Sequence, residues 1–182
     1  MKKAYVFLAD GFEEVEGITP IGYLRRAGVG VTVVGVTGPV AVSARDISVV
    51  CDRTLDGLAG EPLPDLAVLP GGARGSRNLA ASAPLRDLVS RMSGAGRIVG
   101  ALCASPAVVL APWGLLDGRE WTCYPGAEDG LGVTVSEKRV VVDGPFVTSR
   151  GAGTAEEFSL ALIAVLLGES AAERVRSEIV AR

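Results

Sequence analysis

Apolar residues in this chain gather in short runs, and the stretches between the runs carry apolar positions every three or four residues. Residues 3–8, 29–36, 66–69 and 98–102 are such runs, rich in Val, Leu and Ala, and read as strands covered on both faces. Residues 15–27 show a helical pattern that stops at Gly28, and residues 78–92 carry one or two helical segments. Ser105 and Pro106 open a further helix, predicted over residues 105–111. Residues 40–42 and 47–51 fall outside the alternation, as a hairpin at an edge would, and residues 113–118 read as a loop. Residues 120–123, 133–135, 139–142 and 146–148 are strand-like, with Asp143-Gly144 turning between the last two. Thr154 and Glu157 have capping-box spacing, so a helix is predicted from there through Leu167 with Gly168 as its stop, followed by an amphipathic piece over residues 170–180. Alternating strands and helices of this kind predict an α/β sandwich around a parallel sheet.

The 182 residues suit a single domain, 1–182, large enough to bury a core without disulfide or cofactor. Eighteen basic and 21 acidic residues leave a net charge of −3 with no long basic run, which argues against nucleic acid as a partner. The N-terminal apolar run is short and soon meets Asp10, Glu13 and Glu14, so a core strand is expected there rather than a leader. No apolar stretch approaches the roughly 20 residues that span a bilayer, and a soluble, cytoplasmic protein without membrane contact is expected. Three cysteines, Cys51, Cys103 and Cys123, form no C-x-x-C pair, so no metal site is expected, and an odd number fits a reducing compartment. The chain contains no histidine, which removes every Cys-His or Ser-His catalytic pair.

Ligand sites in parallel sheets form beyond the carboxyl ends of the strands. Three turns end there: residues 10–16 bring acids, Pro70-Gly71-Gly72 brings glycines whose N–H groups can approach a ligand, and the turn at Cys103 brings a thiol. Cys103 lies between a strand and a helix start, where backbone N–H groups favour a thiolate and lower the pKa from its free value of about 8.5. Spacing alone does not choose among Asp10, Glu13, Glu14 and Glu16.

Five motifs in register carry a resemblance: residues 10–16 (Asp-Gly-Phe-Glu-Glu-Val-Glu), Leu24 to Gly28, Leu69-Pro70-Gly71-Gly72, Ala101-Leu102-Cys103-Ala104 and Thr148-Ser149-Arg150-Gly151. Together they resemble the ThiJ/PfpI superfamily, in the branch of the parkinsonism-associated protein deglycase, the DJ-one family, over nearly the whole chain. The resemblance implies a flavodoxin-like three-layer sandwich, mostly parallel with helices on both faces, and a homodimer. It implies that Cys103 is the reactive cysteine, Glu16 the acid hydrogen-bonded to it, and Gly72 and Ala104 the donors of an oxyanion-binding pocket. Arg26 and Arg45 match residues near the dimer interface, with Cys51 close by. The activity implied is that of a glyoxalase III or protein deglycase acting on methylglyoxal, glyoxal or their early protein adducts, without a cofactor. The alternative is a redox-sensing chaperone working through oxidation of Cys103.

Some residues depart from that pattern. Thr122-Cys123-Tyr124-Pro125 stands where the family has Thr-His-Pro, so Tyr124 takes the histidine's place as a candidate substrate contact. Ser105 replaces a usual glycine, and Ala73 a frequent polar residue. Cys123 is expected to be a buried structural cysteine, with a resolving thiol as the alternative. Because two anions in contact repel, one member of the Cys103–Glu16 pair must hold a proton, and the expectation is a thiolate beside a protonated Glu16.

Overall fold

Strand β1 (Lys3–Leu8) shows how the alternating pattern becomes a layer: Ala4, Val6 and Leu8 enter one core, and Tyr5 and Phe7 enter the other. The computed structural model describes residues 1–181. After β1 come α1 (Glu14–Arg26), β2 (Gly30–Gly35), β3 (Val40–Val42), β4 (Ser48–Val50), β5 (Arg53–Thr54) and β6 (Leu66–Leu69). Then follow α2 (Ala73–Ala80), α3 (Ala83–Gly94), β7 (Ile98–Leu102), β8 (Val140–Asp143), β9 (Phe146–Ser149), α4 (Ala155–Leu167) and α5 (Glu169–Glu178).

The main sheet has the order β5-β2-β1-β6-β7-β9-β8 and is parallel except for the β8/β9 pair. Helices α1, α4 and α5 cover one face through Ile21, Leu24, Phe158, Leu162, Ile163 and Val175. Helices α2 and α3 cover the other, through Leu79, Leu85, Val89 and Met92. The result is a three-layer flavodoxin-like sandwich. The order in which strands are added reverses between β1 and β6, and a crevice at such a switch point is where these sheets hold ligands.

Several local expectations are corrected. Helix α2 starts at Ala73 rather than Asn78; the signal was masked by Gly75, which is glycine because a Cβ there would lie 2.7 Å from the backbone of Phe12. Ser105 caps no ordinary helix: residues Pro106–Leu110 form a π-helical turn, and the Ser105 hydroxyl instead donates to the Pro70 carbonyl at 2.6 Å. Residues 120–123 and 133–135 join no ladder. Side chains of the neighbouring strands take the backbone donors there, Asp143 accepting from Glu120 N–H at 2.8 Å and Thr148 from Thr122 N–H at 3.0 Å. The Thr154–Glu157 capping box does not form. Thr154 instead bonds Gly151 and Ser149, and Glu157 pairs with Arg139 at 2.8 Å. The β3/β4 hairpin pairs only with itself and folds over the carboxyl end of β1, where Gly11 N–H meets the Val42 carbonyl at 2.7 Å.

Helix α4 reaches the sheet by lying on Gly100 of β7, where a Cβ would sit 2.8 Å from Leu162 Cδ2 and 2.9 Å from Phe158 Cζ. Gly100→Ala is therefore expected to destabilise the protein by about 1–3 kcal/mol in urea unfolding through overpacking. In a Leu162→Ala background the same change should cost clearly less. Strict additivity would show that the close approach is not the cause.

Candidate active site

The ends of β1, β6, β7 and β9 are neighbours in the sheet, so the segments that follow them converge. Cys103 follows β7 directly and has φ +61°, a left-handed conformation uncommon for a residue with a side chain. Two backbone hydrogen bonds hold it there: its N–H donates to the Ser149 carbonyl at 2.9 Å, and its carbonyl accepts from Tyr124 N–H at 2.8 Å. Behind it, Ser105 Oγ bonds both the Pro70 carbonyl at 2.6 Å and Ser76 Oγ at 3.1 Å, all buried. This contact ties the β6 turn to the thiol-bearing turn.

Of the acids that spacing left open, the structure selects one. Asp10 is structural, accepting from Val42 N–H at 3.0 Å, and Glu13 caps α1 by accepting from Glu16 N–H at 3.1 Å. Glu16 alone is wholly buried, at 0% exposure. Its Oε2 accepts from Gly71 N–H at 2.8 Å, and its Oε1 is buried without a well-aligned donor. Gly71 admits no side chain, since a Cβ would lie 2.5 Å from Cys103 Cβ and 2.6 Å from Glu16 Oε2. Gly72 has φ +90° and abuts Gly11, so glycine is required there on both counts.

Burial raises both members of the Cys103–Glu16 pair. Burial pushes the Glu16 carboxyl up to about 7, opposed by hydrogen bonds from Cys103 and Gly71 and helped by the charges of Glu13 and Glu14. Burial, and next the negative charge of Glu16, push the Cys103 thiol up to about 12. The N–H groups of Gly72 and Ala104 pull it down without winning. The short π-turn that follows Cys103 gives less support to a thiolate than the full helix expected from sequence. Both groups are raised and each acts on the other, so the pair holds at least one proton at neutral pH and titrates as a unit.

A cleft of about 610 Å³ opens above the thiol, lined by Glu16, Gly72, Cys103, Tyr124 and Arg45 among others. Tyr124 stands at its mouth, 56% exposed. Arg26 lies apart, exposed at the last turn of α1, and Cys51 is buried under the hairpin with its sulfur 3.9 Å from the Val49 carbonyl. Cys123 faces a different cleft, where its thiol donates to Glu128 at 3.3 Å and burial pushes its pKa up to about 12. Among the described residues no group of three or more His, Cys, Asp or Glu could hold a metal ion, and no helix is long and apolar enough to cross a membrane.

Sequence reasoning missed Gly151, where a Cβ would stand 3.8 Å from Glu16 Oε1 and 4.0 Å from Cys103 Sγ. It also missed the cleft wall formed by residues 43–46 and by Arg74 and Arg77. An i, i+3 arginine pair directly after the double glycine was the available signal.

Because the folded-state pKa of Glu16 is raised, the stability linked to its neutral form is fully present below its unfolded-chain value of 4.5 and is lost as pH rises through about 7. The interval corresponds to roughly 3 kcal/mol. Glu16→Gln should therefore gain stability relative to wild type by up to that amount between pH 4.5 and 8 in urea unfolding. A difference that does not change with pH would contradict the raised carboxyl.

Comparison with known proteins agrees with this geometry. The DJ-1/PfpI family model matches residues 2–165. Protein DJ-1 homolog B of Arabidopsis thaliana is 40% identical over 100% of this chain, which spans only 42% of that protein's length. The Parkinson disease protein 7 homolog of Danio rerio is 36% identical over 98% of this chain and 97% of its own. A deglycase of Pyrococcus horikoshii is 32% identical over 81% of this chain and 89% of its own. The structure of oxidised DJ-1 from Toxoplasma gondii superimposes with a TM-score of 0.94 at 33% identity, covering 100% of this chain and 99% of that one. With the family model matched over residues 2–165 and relatives of this identity and coverage, the chain belongs to the DJ-1/PfpI family.

Proposed function

We propose that this chain is a cysteine-dependent, glutathione-independent enzyme acting on methylglyoxal, glyoxal or their early adducts on protein side chains. The observation that carries the reading is the buried Glu16 carboxyl, poised at about 7 against the Cys103 thiol at the base of an open cleft. A base with a pKa near the working pH is best suited to move protons in both directions.

As sulfur adds to the aldehyde carbon, the thiol proton passes to ionised Glu16, so no free thiolate has to accumulate. The carbonyl oxygen becomes an oxyanion next to the Gly72 and Ala104 N–H groups, then recovers the proton from Glu16 to give a hemithioacetal. Glu16 next moves the proton on the thiol-bearing carbon to the adjacent carbonyl carbon through an enediol, leaving a thioester. Water hydrolyses the thioester, so methylglyoxal plus water becomes lactate and the thiol returns. Tyr124 is placed to hydrogen-bond the substrate from the mouth of the cleft. In deglycase action sulfur displaces the amine from the carbinol carbon of a hemiaminal-type adduct, the amine leaving with the proton that Glu16 took from the thiol, which gives the same hemithioacetal; the name of the Pyrococcus horikoshii relative supports it.

A second reading is favoured by the unpartnered Glu16 Oε1. Protonated, that oxygen would donate to a Cys103 sulfinate formed by peroxide, and the chain would act as a redox sensor or chaperone. The oxidised state of the Toxoplasma gondii relative supports this reading.

A homodimer is proposed on the exposed apolar residues Val15 and Ile18 of α1 and Ile47 and Val50 of the hairpin. The Phe12–Ser43 bridge ties the segment leading into α1 to the hairpin, and Arg26 and Arg45 are the residues that the family resemblance sets near such an interface.

Purified protein should form lactate from methylglyoxal, with Cys103→Ser reducing the rate by at least about 1,000-fold as loss of a nucleophile does. The rate should rise with pH through about 7 as Glu16 ionises. Lactate formation no greater than in Cys103→Ser would reject the enzyme reading and leave the sensor.

A further inference from the structure

The cleft above Cys103 is much larger than a three-carbon dicarbonyl requires. At about 610 Å³ it falls in the range that encloses drug-sized ligands. The volume beyond the sulfur is bounded by Arg74 and Arg77 of α2 and, from the β3–β4 turn, by Arg45. Arg74 and Arg77 are three residues apart, the spacing that puts two side chains on one helix face. The stem of Arg74 lies against Gly11, where a Cβ would be 2.6 Å from Arg74 Cβ.

Most arginines elsewhere on the surface are ion-paired, Arg26, Arg86 and Arg150 being the exceptions among the described residues. Arg25 pairs with Asp52, Arg97 with Asp65 and Arg139 with Glu157. Arg45, Arg74 and Arg77 form no ion pair among the described residues. The acids that share the cleft are Glu13, Glu16 and Asp46. Glu13 is committed to the N-cap of α1, and Glu16 to Gly71. Asp46 is exposed in the hairpin turn at φ +61°. Arginine offers planar paired donors that match a carboxylate or phosphate, and a cleft lined by unpaired cations concentrates anions near its floor.

We propose that Arg74 and Arg77, with Arg45 opposite, form a specificity wall that selects carbonyl compounds bearing an oxyanion tail, a carboxylate or phosphate set beyond the reacting aldehyde. The inference rests on the reading of Cys103 as the nucleophile. The arginines take no part in bond making. For a 2-oxoaldehyde with such a tail, sulfur adds to the aldehyde carbon, one water is consumed overall, and the product is the 2-hydroxy acid with its tail intact.

Alkylation of Cys103 at pH 9 tests the wall without requiring turnover. Iodoacetate and iodoacetamide have nearly the same size, both lose iodide to the sulfur, and only the first is anionic. The ratio of their rate constants at Cys103, read by peptide mass spectrometry, cancels any change in thiol ionisation. The Arg74→Gln/Arg77→Gln double variant should lower the iodoacetate-to-iodoacetamide ratio by about fivefold or more. Raising salt from about 0.05 to 0.5 M should lower it in wild type and much less in the variant. An unchanged ratio in the variant overturns the proposal. Inorganic phosphate and succinate, compared at equal ionic strength, should protect Cys103 from iodoacetate in wild type, and the stronger protector identifies the oxyanion preferred. Protection by neither also overturns the proposal. Failure to form lactate would reject the enzymatic reading and would leave this ratio readable.

Discussion

The site depends on a contact that only a missing side chain permits. At Gly71 the turn after β6 passes so close to Cys103 and Glu16 that a Cβ would lie 2.5 Å from one and 2.6 Å from the other. In that position its N–H reaches Glu16 Oε2, which orients a carboxyl that is wholly buried. The neighbouring constraints serve the same approach: Ser105 draws the Pro70 carbonyl to the thiol-bearing turn, and Ser149 and Tyr124 hold Cys103 in its left-handed conformation. Strain at the nucleophile is thus supported from several strands at once, as strained backbone at functional sites requires.

Burial gives this geometry its chemical meaning. A carboxyl in water would be ionised at neutral pH and a poor proton donor; enclosed beside a thiol, Glu16 is poised near 7 and can both accept and return a proton. The same enclosure raises the Cys103 thiol as well. A neutral thiol also resists indiscriminate oxidation better than a standing thiolate, since thiolate character governs susceptibility. The chain lacks histidine altogether, and Glu16 is the carboxyl that lies against the Cys103 thiol.

Much of the fold was legible because the four main strands are buried on both faces and read as unbroken apolar runs: residues 3–8, 66–69 and 98–102 were located as they stand, and residues 29–36 to within a residue at each end. What was not legible came from tertiary context. Residues 120–123 have a strand's composition, but side chains of Asp143 and Thr148 occupy the donors a ladder would use. The start of α2 was hidden by Gly75, a residue needed for packing on Phe12 rather than for a loop. In the site, Cys103 could be placed on its turn from pattern alone, whereas Glu16 was separated from Asp10, Glu13 and Glu14 only by family resemblance. The physical reason, that it alone is fully buried, lies in the packing of α1 on the sheet. The upward push on the thiol is not legible in the sequence either, because it comes first from burial and next from the charge of Glu16, and both depend on tertiary packing.

The central claim is that Cys103 and Glu16 share one proton and that the charge of Glu16 holds the thiol up. The most direct measurement is ultraviolet titration of the Cys103 thiolate, taken as the difference between each protein and its Cys103→Ser counterpart. Glu16→Gln removes the negative charge and keeps the shape of the side chain, so the apparent thiol pKa should fall clearly below its wild-type value. A thiol pKa that is unchanged or higher in Glu16→Gln would contradict the account.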